Sequence, residues 1–186
     1  MTWRPLGARS TRCRQRNLYH AGAQVVADRP DAQRWVAGDG DDDYVQRLRD
    51  TVSKYGLGDS VSFLGFVSGD EKERVLREAW AFVLPSHQEN FGVTVLEAVA
   101  AGLPVVISGA VQLRSFVEAN QLGVVVDRTD PAVIAAGLET VLADDAGRRR
   151  VAEAGPAGVR GGVLFGADRR EIVGTVRQVS FDRVSP

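Results

Sequence analysis

The chain has 186 residues, room for one ordinary domain and too few for two large ones. Apolar residues make up 44% and charged residues 25%, the balance of a globular protein, and a net charge of −1 gives no reason to expect a nucleic-acid partner. Cys13 is the only cysteine, which excludes an internal disulfide and a cysteine-held zinc or iron–sulfur centre, and no apolar run approaches the length that crosses a bilayer.

Residues 1–20 stand apart. They carry Arg4, Arg9, Arg12, Arg14 and Arg16 and no acidic residue, and their apolar positions do not line one helical face. The stretch therefore reads as an irregular or disordered extension rather than an amphipathic transit peptide. From residue 21 a regular alternation begins. Short apolar runs bounded by Gly, Pro or Asp predict buried strands over 34–37, 61–65, 81–84, 105–107 and 124–126.

Helical spacing fills the gaps between these strands. Tyr44, Leu48, Val52 and Tyr55 recur every three or four residues behind Asp41, Asp42 and Asp43, acids suited to a helix N-terminus. Further helices are predicted over 70–80, over 95–101 with a stop at Gly102 and Pro104, and from Pro131 to Leu142 behind an Asp130 cap. After Asp144 the pattern fades; DDAGRRR reads as the end of the last helix, and residues 151–186 form a tail without clear caps. Strand–helix alternation with nearly continuous apolar strands implies an α/β fold: a doubly wound, Rossmann-like parallel sheet of about five strands over residues 21–150.

In such a sheet ligands sit beyond the carboxyl ends of the strands, so the loops at 38–40, 65–69, 85–93 and 108–112 are the places to look. Gly38 and Gly40 permit either a turn or a close ligand approach. No G-x-G-x-x-G or G-x-x-x-x-G-K-[ST] spacing is present, which argues against a dinucleotide site and a P-loop. An EF-hand in the register of Asp39, Asp41 and Asp43 would need glycine at position 44 and glutamate at 50, where the chain has Tyr44 and Asp50. Helix-start acids explain that run, and no metal site is assigned.

The loop at 85–93 carries the most chemistry. It leaves a buried strand and enters a helix whose first turn offers unpaired N–H groups and a positive dipole end. Gly92 removes a side chain where an anion would approach. Glu89 in the loop and Glu97 on the helix are carboxylates able to accept hydrogen bonds from sugar or ribose hydroxyls. The same residues also fit a plain reading, with Glu89 a helix-start acid and Glu97 a solvated side chain.

Embedded in FVLPSHQENFGVTVLEAVAAGLPVV, the pair Glu89 and Glu97 resembles the E-x7-E motif of family 4 retaining glycosyltransferases of the GT-B fold. VAGDGDDDYVQRLRD, VSFLGFVSGDEKERVLREAW and GVVVDRTDPAVIAAGLETVL are similar to that family in order and spacing, so the resemblance spans about residues 21–150. It implies the C-terminal, donor-binding half of such an enzyme, a hexosyltransferase-like transferase of carbohydrate biosynthesis. Its donor is a nucleotide sugar and its acceptor is unidentified. Residue by residue, it implies that Glu89 acts at the sugar face where the anomeric carbon reacts. Asn90, Phe91 and Gly92 would line the sugar through their backbone, Val93 and Thr94 the diphosphate, and Glu97 the ribose. Gly38 would lie near the diphosphate, and the Phe66 and Val67 backbone beside the base.

The same resemblance implies no cofactor and no metal; the lone cysteine fits a reducing compartment, and the expectation is a cytoplasmic protein, free or peripheral to a membrane. Family members pair this domain with an N-terminal acceptor domain, for which this chain has no room, and clamp the diphosphate with an Arg and a Lys placed before residue 21, where this chain has arginines in a pattern that does not align. The expectation is a truncated or split enzyme, with a second chain supplying the acceptor domain. The alternatives are a non-catalytic nucleotide-sugar-binding module and a GT-B-like epimerase fragment.

Overall fold

The computed structural model describes residues 11–38, 40–85, 92–127, 130–162 and 179–184. Its elements run α1 (Thr11–Asp28), β1 (Ala32–Ala37), α2 (Asp42–Lys54), a 3-10 turn (Gly58–Ser60), β2 (Val61–Gly65), α3 (Gly69–Glu78), β3 (Ala81–Leu84) and α4 (Val93–Ala100). They continue with β4 (Val105–Ser108), α5 (Arg114–Ala119), β5 (Gly123–Val126), α6 (Pro131–Ala143), α7 (Asp145–Gly162) and β6 (Val179–Val184). The sheet order is β2-β1-β6-β3-β4-β5. All five strands expected from the apolar runs are present and mutually parallel, and the doubly wound α/β fold is the one observed.

The strands alternate as a two-faced sheet requires. Ala81, Val83 and Val106 point to the face covered by α1 and α6, through Leu18, Ala21, Val25, Ile134 and Leu138. Phe82, Val105 and Ile107 point to the opposite face, under Val75 and Leu76 of α3, Val95 and Val99 of α4, and Val117 of α5. On the first face α2 closes the edge, packing Leu48 and Val52 with Val36 and Tyr19. Two expected helix starts carry the side-chain caps their sequences suggest. Asp41 Oδ1 accepts from the Tyr44 N–H at 2.7 Å, and Asp130 Oδ1 from the Ala132 N–H at 2.9 Å with Pro131 in the first turn.

Three expectations are corrected. Residues 11–20, expected to be irregular, form the first part of α1, with Leu18 and Tyr19 buried. A long-range contact anchors that segment: the buried Arg34 of β1 donates from Nη1 to the Leu18 carbonyl at 2.8 Å. Asp144 does not close the helical region. Its carboxylate accepts from the Gly147 N–H at 2.7 Å and starts α7, which runs past residue 150, while Arg148 donates to the Leu142 carbonyl at 2.6 Å and caps α6. The sheet is also not purely parallel. In the tail, to which the sequence assigns no element, β6 runs antiparallel to both neighbours, pairing Val179 with Ala37 and Phe181 with Phe82.

Candidate functional site

The carboxyl ends of the parallel strands gather four loops at one edge of the sheet. Beyond β1, the Gly38 N–H donates to the Gly65 carbonyl at 2.7 Å, tying the end of β1 to the end of β2. Phe66 follows and is 54% exposed, while Val67 is buried in the core, so its side chain is not offered to a ligand. Glu89, Asn90 and Phe91 lie outside the described residues.

Gly92 opens α4. It sits in the left-handed region at φ 70, ψ 41, and its carbonyl accepts from the Val95 N–H at 2.8 Å. A Cβ there would lie 3.2 Å from Val111 Cγ1, so the residue is fixed both by backbone conformation and by the chain packed against it. Among the described residues no acceptor meets the Val93 and Thr94 N–H groups, and this first turn lies at the sheet's ligand edge.

Along α4, Val95, Leu96, Ala98 and Val99 are buried, and Val93, Thr94 and Glu97 are the positions left partly open before the last residue. Glu97 lies one turn beyond Val93 and Thr94, on the same side of the helix. Glu97 is not a solvated side chain: its Oε1 accepts from Lys72 Nζ at 2.7 Å, with both side chains less than one-fifth exposed. Lys72 belongs to α3, which follows β2, so the ion pair bridges the helices that leave two different loops of the site.

Lys72 was not anticipated as a site residue. The available signal was composition: Lys54 and Lys72 are the only lysines in a chain whose other basic residues are arginines. Asp41, part of the acidic run weighed as a metal site, caps α2. No group of three or more His, Cys, Asp or Glu side chains converges among the described residues.

The family model for glycosyl transferases group 1 matches residues 6–157, most of the chain. The chain belongs to the group 1 glycosyltransferases.

This group 1 domain is 38% identical over 120 residues to a glycosyltransferase of Methanocaldococcus jannaschii, covering 64% of the chain and 30% of that protein. Over 106 residues it is 38% identical to D-inositol 3-phosphate glycosyltransferase of Salinispora arenicola, covering 57% and 24%. Among solved structures it is similar to sucrose-phosphate synthase from Thermosynechococcus elongatus, with TM-score 0.67, 29% identity and coverage of 78% and 38%. It is likewise similar to Anabaena HepE in complex with UDP, with TM-score 0.68, 26% identity and coverage of 78% and 40%. The chain spans between about a quarter and a third of the curated relatives it matches. The fold is thus that of one half of a GT-B glycosyltransferase.

Proposed function

We propose that this chain is the donor-binding half of a retaining, family 4-type glycosyltransferase, which grips a nucleotide sugar so that its sugar passes to an acceptor held by another domain or chain. The observation that carries this reading is the face of α4: Val93, Thr94 and Glu97 stay accessible directly behind left-handed Gly92, at the edge where an open parallel sheet binds ligands. The helix start supplies N–H donors for a diphosphate, and Glu97 is a carboxylate one turn further along, the reach of a ribose from its phosphates. The structures of Anabaena HepE with UDP and with UDP-glucose support a uridine nucleotide as the first probe.

In this reading Val93 and Thr94 face the diphosphate, Glu97 the ribose, Gly38 the diphosphate from the β1 side, and the backbone at exposed Phe66 and buried Val67 the base. Glu89, eight positions before Glu97, is assigned to the sugar face together with the Asn90 and Phe91 backbone by its place in the motif. Charge on the leaving diphosphate is met by backbone dipoles, without a divalent cation. Among the described residues no helix is long and apolar enough to cross a membrane; we place the domain in the cytoplasm, free or at a membrane surface.

Calorimetric titration of UDP-, GDP- and ADP-sugars, repeated on Glu97→Ala and with EDTA, tests the grip. Binding of one nucleotide sugar, weakened by Glu97→Ala and indifferent to EDTA, is the expected result; no binding of any of them refutes the reading. Transfer or donor hydrolysis would mark an enzyme, and binding without either a non-catalytic module.

A further inference from the structure

We propose that Lys72 is a positioning residue for nucleotide recognition: its ammonium pins one oxygen of Glu97, so that the other is presented to the vicinal hydroxyls of a ribose. The inference rests on the donor-site reading above.

The geometry is specific. Glu97 stands on a helix whose neighbouring positions Leu96 and Ala98 are buried, and its own side chain is only 16% exposed. A carboxylate in that setting loses much of its water and needs a counter-charge. Lys72 supplies one at 2.7 Å from the fourth position of α3, 25 residues away in sequence. The contact is to Oε1, and among the described residues nothing else bonds Glu97.

A carboxylate has about four acceptor sites, so a single ammonium contact leaves Oε2 and part of Oε1 available. Two adjacent hydroxyls are the ligand group that fits, because both can donate to one carboxylate edge. The pair also sets position. Glu has three side-chain torsions to immobilise, and an acceptor already held by a fixed cation costs less to order when the ligand arrives. Since α3 leaves the β2 loop and α4 the β3 loop, the same contact sets the spacing between the exposed edge at Phe66 and the first turn at Val93.

The test compares UDP with 2′-deoxy-UDP, and the corresponding GDP and ADP pairs, by calorimetry on the full chain. The proteins are the parent, Lys72→Met, Lys72→Arg, Glu97→Gln and the Lys72→Met/Glu97→Gln double variant; Lys72→Gln replaces Lys72→Met if thermal melting shows the latter unfolded. Lys72→Met is expected to weaken the ribonucleotide about tenfold and its 2′-deoxy counterpart about twofold or less, so that discrimination for the 2′-hydroxyl collapses. Lys72→Arg should restore much of it, and in the Glu97→Gln background Lys72→Met should add nothing.

Equal weakening of both nucleotides, or full additivity with Glu97→Gln, overturns the proposal by showing that Lys72 meets the phosphates or merely supports the fold. Unchanged discrimination in Lys72→Met overturns it as well. Absence of UDP, GDP and ADP binding by the parent chain removes the donor-site reading and this inference together, whereas intact binding with the wrong pattern removes this inference alone.

Discussion

Replacing Gly92 by alanine probes the conformation on which the site depends. At φ 70, ψ 41 an L-residue is disfavoured by roughly 1–2 kcal/mol. The added Cβ would also lie 3.2 Å from Val111 Cγ1, 3.4 Å from Val95 Cγ2 and 3.5 Å from Leu113 Cδ1. Val111 and Val95 are 1% and 0% exposed, so they yield only by shifting α4 or the segment after β4, which adds about 1 kcal/mol. Gly92→Ala is therefore expected to lose about 2–3 kcal/mol in urea unfolding, or roughly 4–12 °C in Tm for a chain of this size. Gly92→Asn carries the same Cβ but tolerates the left-handed region better, so it should fall between the two. An alanine variant within about 0.5 kcal/mol of the parent, where ordinary surface substitutions fall, would refute both the left-handed assignment and the packing around it. An asparagine variant as damaged as alanine would assign the whole loss to crowding.

Other expectations are simpler to check. Gly123 faces Val105 across the β4–β5 pair, and a Cβ there would come 2.6 Å from the Val105 nitrogen and 2.7 Å from its carbonyl carbon, both backbone atoms of the sheet interior. Gly123→Ala should cost at least about 3 kcal/mol in denaturant unfolding or leave the chain insoluble, and near-parent stability would contradict the pairing. The Tyr19 hydroxyl is buried and has no hydrogen-bond partner among the described residues, and burial pushes its pKa above the ordinary 10.0 although the Arg34 charge pulls the other way. Its raised folded-state value means that the neutral form's contribution is complete below pH 10 and lost above it, at roughly 1.4 kcal/mol per pH unit. Tyr19→Phe should accordingly be neutral to slightly stabilising at pH 7 and flatten stability between pH 10 and 11.5; a loss above about 1 kcal/mol at pH 7 would show that the hydroxyl has a partner. Asp130→Ala, which removes the α6 cap, should lower Tm by roughly 2–4 °C for about 1 kcal/mol, and no change would argue against the cap.

What could be read in advance divides along a physical line. Strands buried on both faces announce themselves, because Ala81 to Leu84 and Val105 to Ile107 are apolar whichever face they meet. Local caps are equally plain, since Asp41 and Asp130 act within three residues. Contacts made at long range left no such trace. The start of α1 is arginine-rich and unpromising until the Arg34 guanidinium reaches the Leu18 carbonyl from β1. Asp144 and the arginines after it read as a helix end because a cap for one helix and a start for the next use the same residue types. The alternating VSFDRV of β6 gives no hint of which strands will receive it. At the site, the E-x7-E spacing marked Glu97, but only folding brings Lys72 beside it.

The order of the sheet has a consequence in time. β1 and β3 each have one edge that only β6 covers, and β6 is the last of the described elements to be synthesised. Until it arrives, β2-β1 and β3-β4-β5 are two ribbons with bare inner edges, joined through α3 and the shared core beneath it. Closing the middle of the sheet therefore comes after translation of the other described elements. Refolding should show a late phase in which the interior of the sheet acquires hydrogen-exchange protection after its β4–β5 flank, and the yield should fall as protein concentration rises, since another chain's strand competes for the same two edges.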